Sequence, residues 1–388
     1  MISKRLNSLP KYAFAQINDQ IKLLQSKGIK IIDFGVGDPK EPTPEFIREA
    51  AKKAIDEHAS SGYPSYNGSK NFREKVAEYL KRRSNIDLDP ETEISSTIGS
   101  KEAVFNFPEA VINPGDYVLM PNPGYPPYKS GTIFAEGIPY QYPLLPENDF
   151  FPDFSKIPEE VLQKAKILWL NYPNSPTGKT ASKNFYEKAI KFAQKHNILI
   201  ASDECYLDIY YQKKPISILE ISKKNIIAFH SLSKRSNMTG WRIGFVCGDA
   251  DIIQTFKKLK PNIDSGTPDF IQDAAAKALG DDIHVQKSRD LYIQKKEILL
   301  NAFKKINLEI HEPESTFYIW QKVPKNYTSI EFAKKLLDSE IGIIVTPGEL
   351  ISDEINNFNP GKDYVRFALV PSLEQIKSAA EKLEKLKV

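Results

Sequence analysis

Five short runs, Tyr117–Met120, Ile167–Leu170, Ile198–Ala201, Ile226–Phe229 and Ile243–Cys247, are nearly continuously apolar. A strand that shows one face to water alternates apolar with polar positions, so unbroken runs of this length predict strands covered on both faces. Helical patterns separate most of them, and that alternation predicts an α/β fold with a mostly parallel central sheet. One helix is expected to open with Thr43 as N-cap and Pro44 at its first position, with Phe46, Ile47, Ala50, Ala51, Ala54 and Ile55 on one face. A second carries Phe72, Val76, Tyr79 and Leu80 on one face.

A chain of 388 residues exceeds one typical domain. The large domain is expected over residues 43–283. A long charged helical segment, two strand candidates and a terminal helix near Ser372–Lys387 predict a smaller α/β domain over 284–388. The first 42 residues, an amphipathic arm followed by the extended stretch Ile31–Phe34, are expected to pack against it, so that both chain ends build the small domain.

Composition narrows the function. The 53 basic and 50 acidic residues leave a formal charge of +3, too small and too interspersed for a nucleic-acid or membrane footprint. Two cysteines, Cys205 and Cys247, and five scattered histidines supply neither a disulfide framework nor a metal-ligand spacing. No apolar run reaches the roughly 18 residues of a bilayer span, and the opening Met-Ile-Ser-Lys-Arg-Leu lacks the apolar stretch of a secretion signal. The expectation is a soluble cytoplasmic protein.

The segment Gly35-Val36-Gly37-Asp38-Pro39-Lys40 follows a strand-like run and invites a dinucleotide-binding reading, which fails. That fingerprint needs a glycine where Lys40 stands and an immediate helix, whereas Pro39 and Pro42 enforce an extended loop. A stronger signal is Ser231-Leu232-Ser233-Lys234, directly after the run Ile226–His230 and followed by Arg242. Most lysines are simply solvated. A lysine at the end of a central strand can instead be desolvated into a nucleophilic amine able to hold a carbonyl cofactor as a Schiff base. Ser231, Ser233 and Arg242 would then suit a phosphate, arginine giving a planar bidentate grip. Thr97-Ile98-Gly99-Ser100-Lys101-Glu102-Ala103 runs from a turn into a helix, whose free N–H groups would add to that cradle, although Gly-Ser at a helix start also serves simple capping. Asp203, closing the run that starts at Ile198, is a carboxylate at a buried strand end and needs a partner. A protonated pyridine nitrogen would be one, with Tyr206 bonding the ring oxygen; capping of the next helix is the plain alternative.

Taken together, Asn174-Ser175-Pro176-Thr177-Gly178, then Asp203 and Tyr206, then Ser231-Leu232-Ser233-Lys234, Arg242, and Tyr364-Val365-Arg366-Phe367 resemble the ordered signature of the class I/II aminotransferases. These are pyridoxal-phosphate enzymes of fold type I, and the resemblance covers nearly the whole chain. It implies a homodimer with sites at the subunit interface. It implies that Lys234 holds the cofactor and moves the proton at the substrate Cα, and that Asp203 pairs with the ring nitrogen. Tyr125, in Pro123-Gly124-Tyr125, falls where the family stacks an aromatic on the ring. Ser100, Lys101 through its backbone, Ser231, Ser233 and Arg242 would surround the phosphate. Tyr63 matches a tyrosine that reaches it from the partner subunit. Arg366 matches the clamp on the substrate α-carboxylate, with Gly37 beside it; a buried structural ion pair is the plain reading of that arginine.

One departure concerns the family asparagine that bonds the cofactor ring oxygen. Here Ser175 fills its slot and Asn174 precedes it, and a hydroxyl or a re-aimed amide would each serve. Finer motifs, among them Pro123-Gly124-Tyr125-Pro126 and Asn237-Met238-Thr239-Gly240-Trp241-Arg242, resemble the LL-diaminopimelate aminotransferases, with Tyr12 as their substrate-contacting tyrosine. Lys234-Arg235-Ser236-Asn237 is more similar to the N-succinyldiaminopimelate type. The expected reaction moves an amino group between a diaminopimelate-type substrate of lysine and cell-wall biosynthesis and a 2-oxo acid such as 2-oxoglutarate. An aspartate or neutral and aromatic specificity, a pyridoxal-phosphate C–S lyase and a non-enzymatic binding module stay open as alternatives.

Overall fold

The computed structural model describes residues 2–8, 24–26, 28–338 and 341–386. In chain order its strands are β1 (Ile32–Asp33), β2 (Ile94–Thr97), β3 (Tyr117–Asn122), β4 (Ile138–Pro143), β5 (Ala165–Asn171) and β6 (Leu199–Asp203). There follow β7 (Ile226–Ser231), β8 (Gly244–Gly248), β9 (Tyr318–Lys322), β10 (Ile343–Ile344), β11 (Thr346–Pro347) and β12 (Tyr364–Ala368). Seven of these form one sheet in the order β2-β8-β7-β6-β5-β3-β4. The pairings from β7 through β4 are parallel, while β8 runs antiparallel to both its neighbours.

The five apolar runs all lie in this sheet, and the reason is visible along β5. Ile167 and Trp169 face one helical layer, packing with Phe107 and Phe229, whereas Leu168 and Leu170 face the other with Ile200 and Tyr186. Both faces are covered, so no position is free to be polar. On one face sits the helix Ser100–Val111, and on the other Lys70–Ser84, which buries the anticipated Phe72, Val76, Tyr79 and Leu80.

The expectation for Thr43 is corrected. The helix begins at Glu45 with Pro44 in the cap position and no side-chain cap bond. The Thr43 hydroxyl instead donates to the Asn237 carbonyl at 2.6 Å and accepts from Trp241 Nε1 at 3.1 Å, tying this stretch to the loop after Lys234. Ile47, Ala51 and Ala54 are buried on the helix, but Ile55 is 52% exposed.

A second hydrophobic core is assembled from both ends of the chain. Ile32 and Phe34 pack with Val365 and Phe367, against Leu299 and Phe303 of the helix Ile283–Lys305 and Ile376 and Leu383 of the terminal helix Leu373–Leu383. β1 pairs in parallel with β10, and β11-β12-β9 form an antiparallel sheet beside it.

One buried ionic cluster fastens the pieces of the large sheet that surround Lys234. The Asp208 carboxylate accepts from Arg83 Nε at 2.8 Å, Arg235 Nε at 2.9 Å and the Tyr79 hydroxyl at 2.7 Å. Burial alone would raise its pKa, but the two guanidiniums reverse this and hold the carboxyl well below the usual carboxylate range. Removing one member of such a group strands uncompensated charge in the interior. Asp208→Ala is therefore expected to lower the unfolding free energy by about 3–5 kcal/mol in urea denaturation. A loss under about 1 kcal/mol would show that the two arginines find other partners at little cost.

Candidate active site

Asn122, Asn171, Asp203 and Ser231 are the last residues of β3, β5, β6 and β7, so the carboxyl ends of the parallel strands open onto one edge. Ligands of open α/β sheets bind outside that edge. Here it forms the floor of a cavity of ≈ 530 Å³. Gly35 and Gly37 wall it from the N-terminal stretch, and Tyr318 and Arg366 from the small sheet.

Lys234 stands in a single helical turn, Leu232–Arg235, capped by the Ser231 hydroxyl, which accepts from the Ser233 amide at 3.2 Å. The turn starts where β7 stops, and it aims the lysine back over the strand ends. Its half-buried ammonium donates to the Gly37 carbonyl at 2.7 Å and lies 5.5 Å from the Phe317 ring centroid. Among the described residues it pairs with no carboxylate.

Asp203 reaches the floor of the same cavity and is buried. It accepts from the Tyr128 hydroxyl at 2.6 Å and from the Cys205 amide at 3.2 Å, and burial raises its pKa. No lysine, arginine or histidine among the described residues pairs with it. A carboxylate so placed calls for a cation supplied from the cavity. The protonated ring nitrogen of pyridoxal phosphate meets that need, so the residues present fit this group.

The other end of the cavity is built for an anion. Gly99 precedes the helix Ser100–Val111 with φ +68, and a Cβ there would collide with the Arg242 guanidinium, so glycine serves both the backbone turn and the close approach. Arg242 donates to the Thr239 carbonyl at 2.7 Å and, more weakly, to the Ile98 carbonyl at 3.5 Å, and it lines the cavity. Helix N-terminus, guanidinium and the hydroxyls of Ser100, Ser231 and Ser233 converge on one region, as an anion requires.

Arg366 is no structural ion pair. It donates to the Gly35 carbonyl at 2.9 Å and to the Thr346 hydroxyl at 3.3 Å, and its Nε is buried without a partner. No carboxylate among the described residues balances it. Its charge is left for a ligand.

The cavity thus gathers Ser100, Lys101, Tyr125, Ser175, Asp203 and Tyr206, together with Ser231, Ser233, Lys234 and Arg242, and Gly37 and Arg366. Two sequence-predicted residues stand apart, and a third falls on an undescribed part of the chain. Asn174 lies outside because its amide is consumed in its own turn, accepting from the Thr177 amide at 3.1 Å and hydroxyl at 2.8 Å and donating to the Asn171 carbonyl at 3.1 Å. Tyr63 is 87% exposed and does not line the cavity of its own chain. Tyr12 lies outside the described residues.

Sequence reasoning missed Asn171, Tyr128 and Tyr318. Asn171 lines the cavity, donates to the Asp203 carbonyl at 3.0 Å and accepts from the Ser175 amide at 3.0 Å. Its signal was present, since it ends an apolar run just as Asp203 does. Tyr128, stacked on Trp169 at 4.6 Å, gave no signal beyond an aromatic in a helix.

Behind the floor lies a buried pair that belongs to no ligand. Glu204 Oε2 and His230 Nε2 are 3.8 Å apart, too long for a hydrogen bond, and neither has another partner. Burial pushes the Glu204 carboxyl up to about 7 and the His230 imidazole down to about 3. Both therefore favour their neutral forms, and the contact is no ion pair.

The model of the family described as aminotransferase class I and II matches residues 29–383. Among curated proteins, LL-diaminopimelate aminotransferase of Aquifex aeolicus is 47% identical over 391 residues, covering 100% of this chain and 99% of that protein. LL-diaminopimelate aminotransferase 2 of Trichormus variabilis is 43% identical over 387 residues, covering 98% and 97%. Among solved structures, substrate-bound BacF from Bacillus subtilis superposes with a TM-score of 0.92 at 34% identity, covering 100% of this chain and 98% of that one.

The Glu204 shift has a definite sign in stability. The folded protein holds a proton that the unfolded chain releases near the ordinary value of 4.5, so stability falls as pH rises from there to about 7. Glu204→Gln keeps an acceptor for the Ser202 hydroxyl and Ile218 amide, which Oε1 now serves, and removes the titration. Its urea midpoint relative to the natural protein is expected to be higher at pH 8 than at pH 5; an identical difference at both would contradict the assignment.

Proposed function

The chain belongs to the aminotransferases of class I and II and is a pyridoxal-phosphate-dependent transaminase; on that premise we propose that it moves an amino group between LL-diaminopimelate and 2-oxoglutarate in lysine and cell-wall biosynthesis. One observation carries the catalytic part of the reading: the Lys234 amine, the unpaired Asp203 carboxylate and the acid-free Arg366 guanidinium face one cavity. The diaminopimelate part is supported by the names of the relatives, both of which match this chain end to end above 40% identity.

When bound, pyridoxal phosphate supplies an electron sink that stabilises negative charge developing at the substrate Cα. The rest is done by the chain. Asp203 keeps the ring nitrogen protonated, and Tyr128 keeps Asp203 ionised by donating to it. Arg242, the Ser231 and Ser233 hydroxyls and the N–H groups at Ser100 and Lys101 hold the phosphate. Tyr206 would donate to the ring oxygen and Tyr125 would cover the ring face, with Ser175 and Asn171 lining the same cavity. Arg366, with Gly37 next to it, grips the α-carboxylate, and this orients the Cα–H toward Lys234. Lys234 Nζ would be the base that takes that proton from Cα and moves it.

Further parts of the reading are a homodimer and a cytoplasmic location. Among the described residues no helix is long and apolar enough to cross a membrane. A Tyr63 ring turned away from its own cavity suits a residue that serves the neighbouring subunit's phosphate.

The test is the visible absorption of the reconstituted protein with LL-diaminopimelate, its N-succinyl form, aspartate and an aromatic amino acid added separately, coupled to 2-oxoglutarate turnover. LL-diaminopimelate is expected to give a kcat/KM at least about tenfold above the others, the discrimination that about 1.4 kcal/mol of differential binding supplies. A better N-succinyl or aspartate donor overturns the substrate, and breakdown of cystathionine, which carries sulfur on Cβ, to homocysteine, pyruvate and ammonia without need of a keto acid indicates a lyase. Lys234→Ala should lower turnover by about 10²–10⁴-fold or more with cofactor saturating; wild-type turnover would refute the role of Lys234.

A further inference from the structure

Tyr318, at the start of β9, is 4% exposed and touches three parts of the site at once. Its ring carries the Arg366 guanidinium on its face at 4.5 Å. Its hydroxyl lies 3.2 Å from that of Tyr206. It also presses on Gly37, where any Cβ would overlap the phenol oxygen, and the Gly37 carbonyl accepts from Lys234.

A phenol has one proton to give. If Tyr206 donates to the cofactor ring oxygen, it cannot also donate to Tyr318, so the bond between the two hydroxyls must run from Tyr318 to Tyr206. An accepting hydroxyl is polarised and becomes a stronger donor. The same ring that polarises Tyr206 is the one that orients Arg366, a cation with no carboxylate partner among the described residues. We infer that Tyr318 is a positioning residue that couples the carboxylate grip of Arg366 to the ring-oxygen bond of Tyr206. The inference rests on the roles given to Arg366 and Tyr206 above.

Two variants separate its two contacts, measured on the cofactor-loaded protein. Tyr318→Phe keeps the ring under Arg366 and removes the hydroxyl. The pH midpoint of the resting visible absorption band is expected to rise by about half a unit, as one weakened hydrogen bond to the ring oxygen implies. Binding of glutarate, a non-reactive dicarboxylate, should stay within about twofold, because the cation–π contact survives. Tyr318→Leu removes both contacts, and should also weaken glutarate binding about fivefold. An unchanged midpoint in Tyr318→Phe, or unchanged glutarate binding in Tyr318→Leu, overturns the coupling. Tyr206→Phe and Arg366→Lys are the controls: if the first leaves the midpoint in place, or the second leaves glutarate binding intact, the fault lies in the underlying roles and the inference falls with them.

Discussion

Everything near Lys234 depends on one carboxylate shared by two arginines. Asp208 follows Tyr206 closely in the chain, Arg235 is the residue after Lys234, and Arg83 comes from the helix Lys70–Ser84. Arg83 also donates to the Leu207 carbonyl at 2.7 Å, and Arg235 reaches Asp282 at 2.6 Å and the Ala278 carbonyl at 2.9 Å. The segment after β6 and the turn after β7 are thereby fixed to each other and to the helical layer behind them. Burying three charges is expensive, and an apolar cluster of equal volume would often be as stable. What the ions add is direction: an apolar patch tolerates a small slip, whereas a guanidinium on a carboxylate oxygen does not.

The contrast with the cavity in front is the main electrostatic fact of the molecule. Arg83, Arg235 and the buried Lys260 each meet carboxylates, Lys260 reaching Asp264 at 2.8 Å and Glu102 at 3.4 Å. Among the described residues Asp203, Lys234 and Arg366 meet no opposite charge. Unpaired charge of both signs is held a short distance apart without collapsing into ion pairs, because each group is occupied by neutral dipoles: Tyr128 on Asp203, the Gly37 carbonyl on Lys234, the Gly35 carbonyl on Arg366. Such an arrangement costs stability and is preorganised for a ligand carrying the complementary charges.

The sequence made the central strands legible because residues covered on both faces have no polar alternative. β2, with Ser95, Ser96 and Thr97, and β4, with Pro139 and Pro143, sit at the two edges of the sheet and carried no comparable run. Lys234 and Asp203 stood out because each is a charge where an apolar run ends. Asn171 ended one too, but a neutral amide there raises no electrostatic question. Tyr318 was invisible for a different reason. Its partners Arg366 and Tyr206 lie on β9's neighbour β12 and in the segment after β6, and nothing local in Phe317-Tyr318-Ile319 marks one aromatic as facing a site and the next residue as core. Between Asn174 and Ser175 the sequence could not choose, since only the folded turn shows the Asn174 amide already spent.

In the proposed reaction the two ligand grips belong to different halves of the chain, and this sets a condition on catalysis. The phosphate and ring contacts come from the large sheet, whereas Arg366 and Tyr318 come from β12 and β9. The seam between them is closed by side chains that carry no reacting group. Asp353 accepts from Lys129 at 2.9 Å and Gln141 at 2.5 Å, while Asn122, at the end of β3, bonds its backbone carbonyl at 2.8 Å and its amide at 3.0 Å. Lys295 reaches Glu41 at 3.1 Å, and the Ser315 hydroxyl donates to the Gly178 carbonyl at 2.9 Å. A shift of one sheet against the other would leave every contact to phosphate and ring in place and still carry the carboxylate grip away from Lys234. The Cα–H to be removed is held from one side and attacked from the other, and an error of about 1 Å in that alignment can cost on the order of 10²-fold in rate. The seam therefore bears on turnover as directly as the residues that face the cavity.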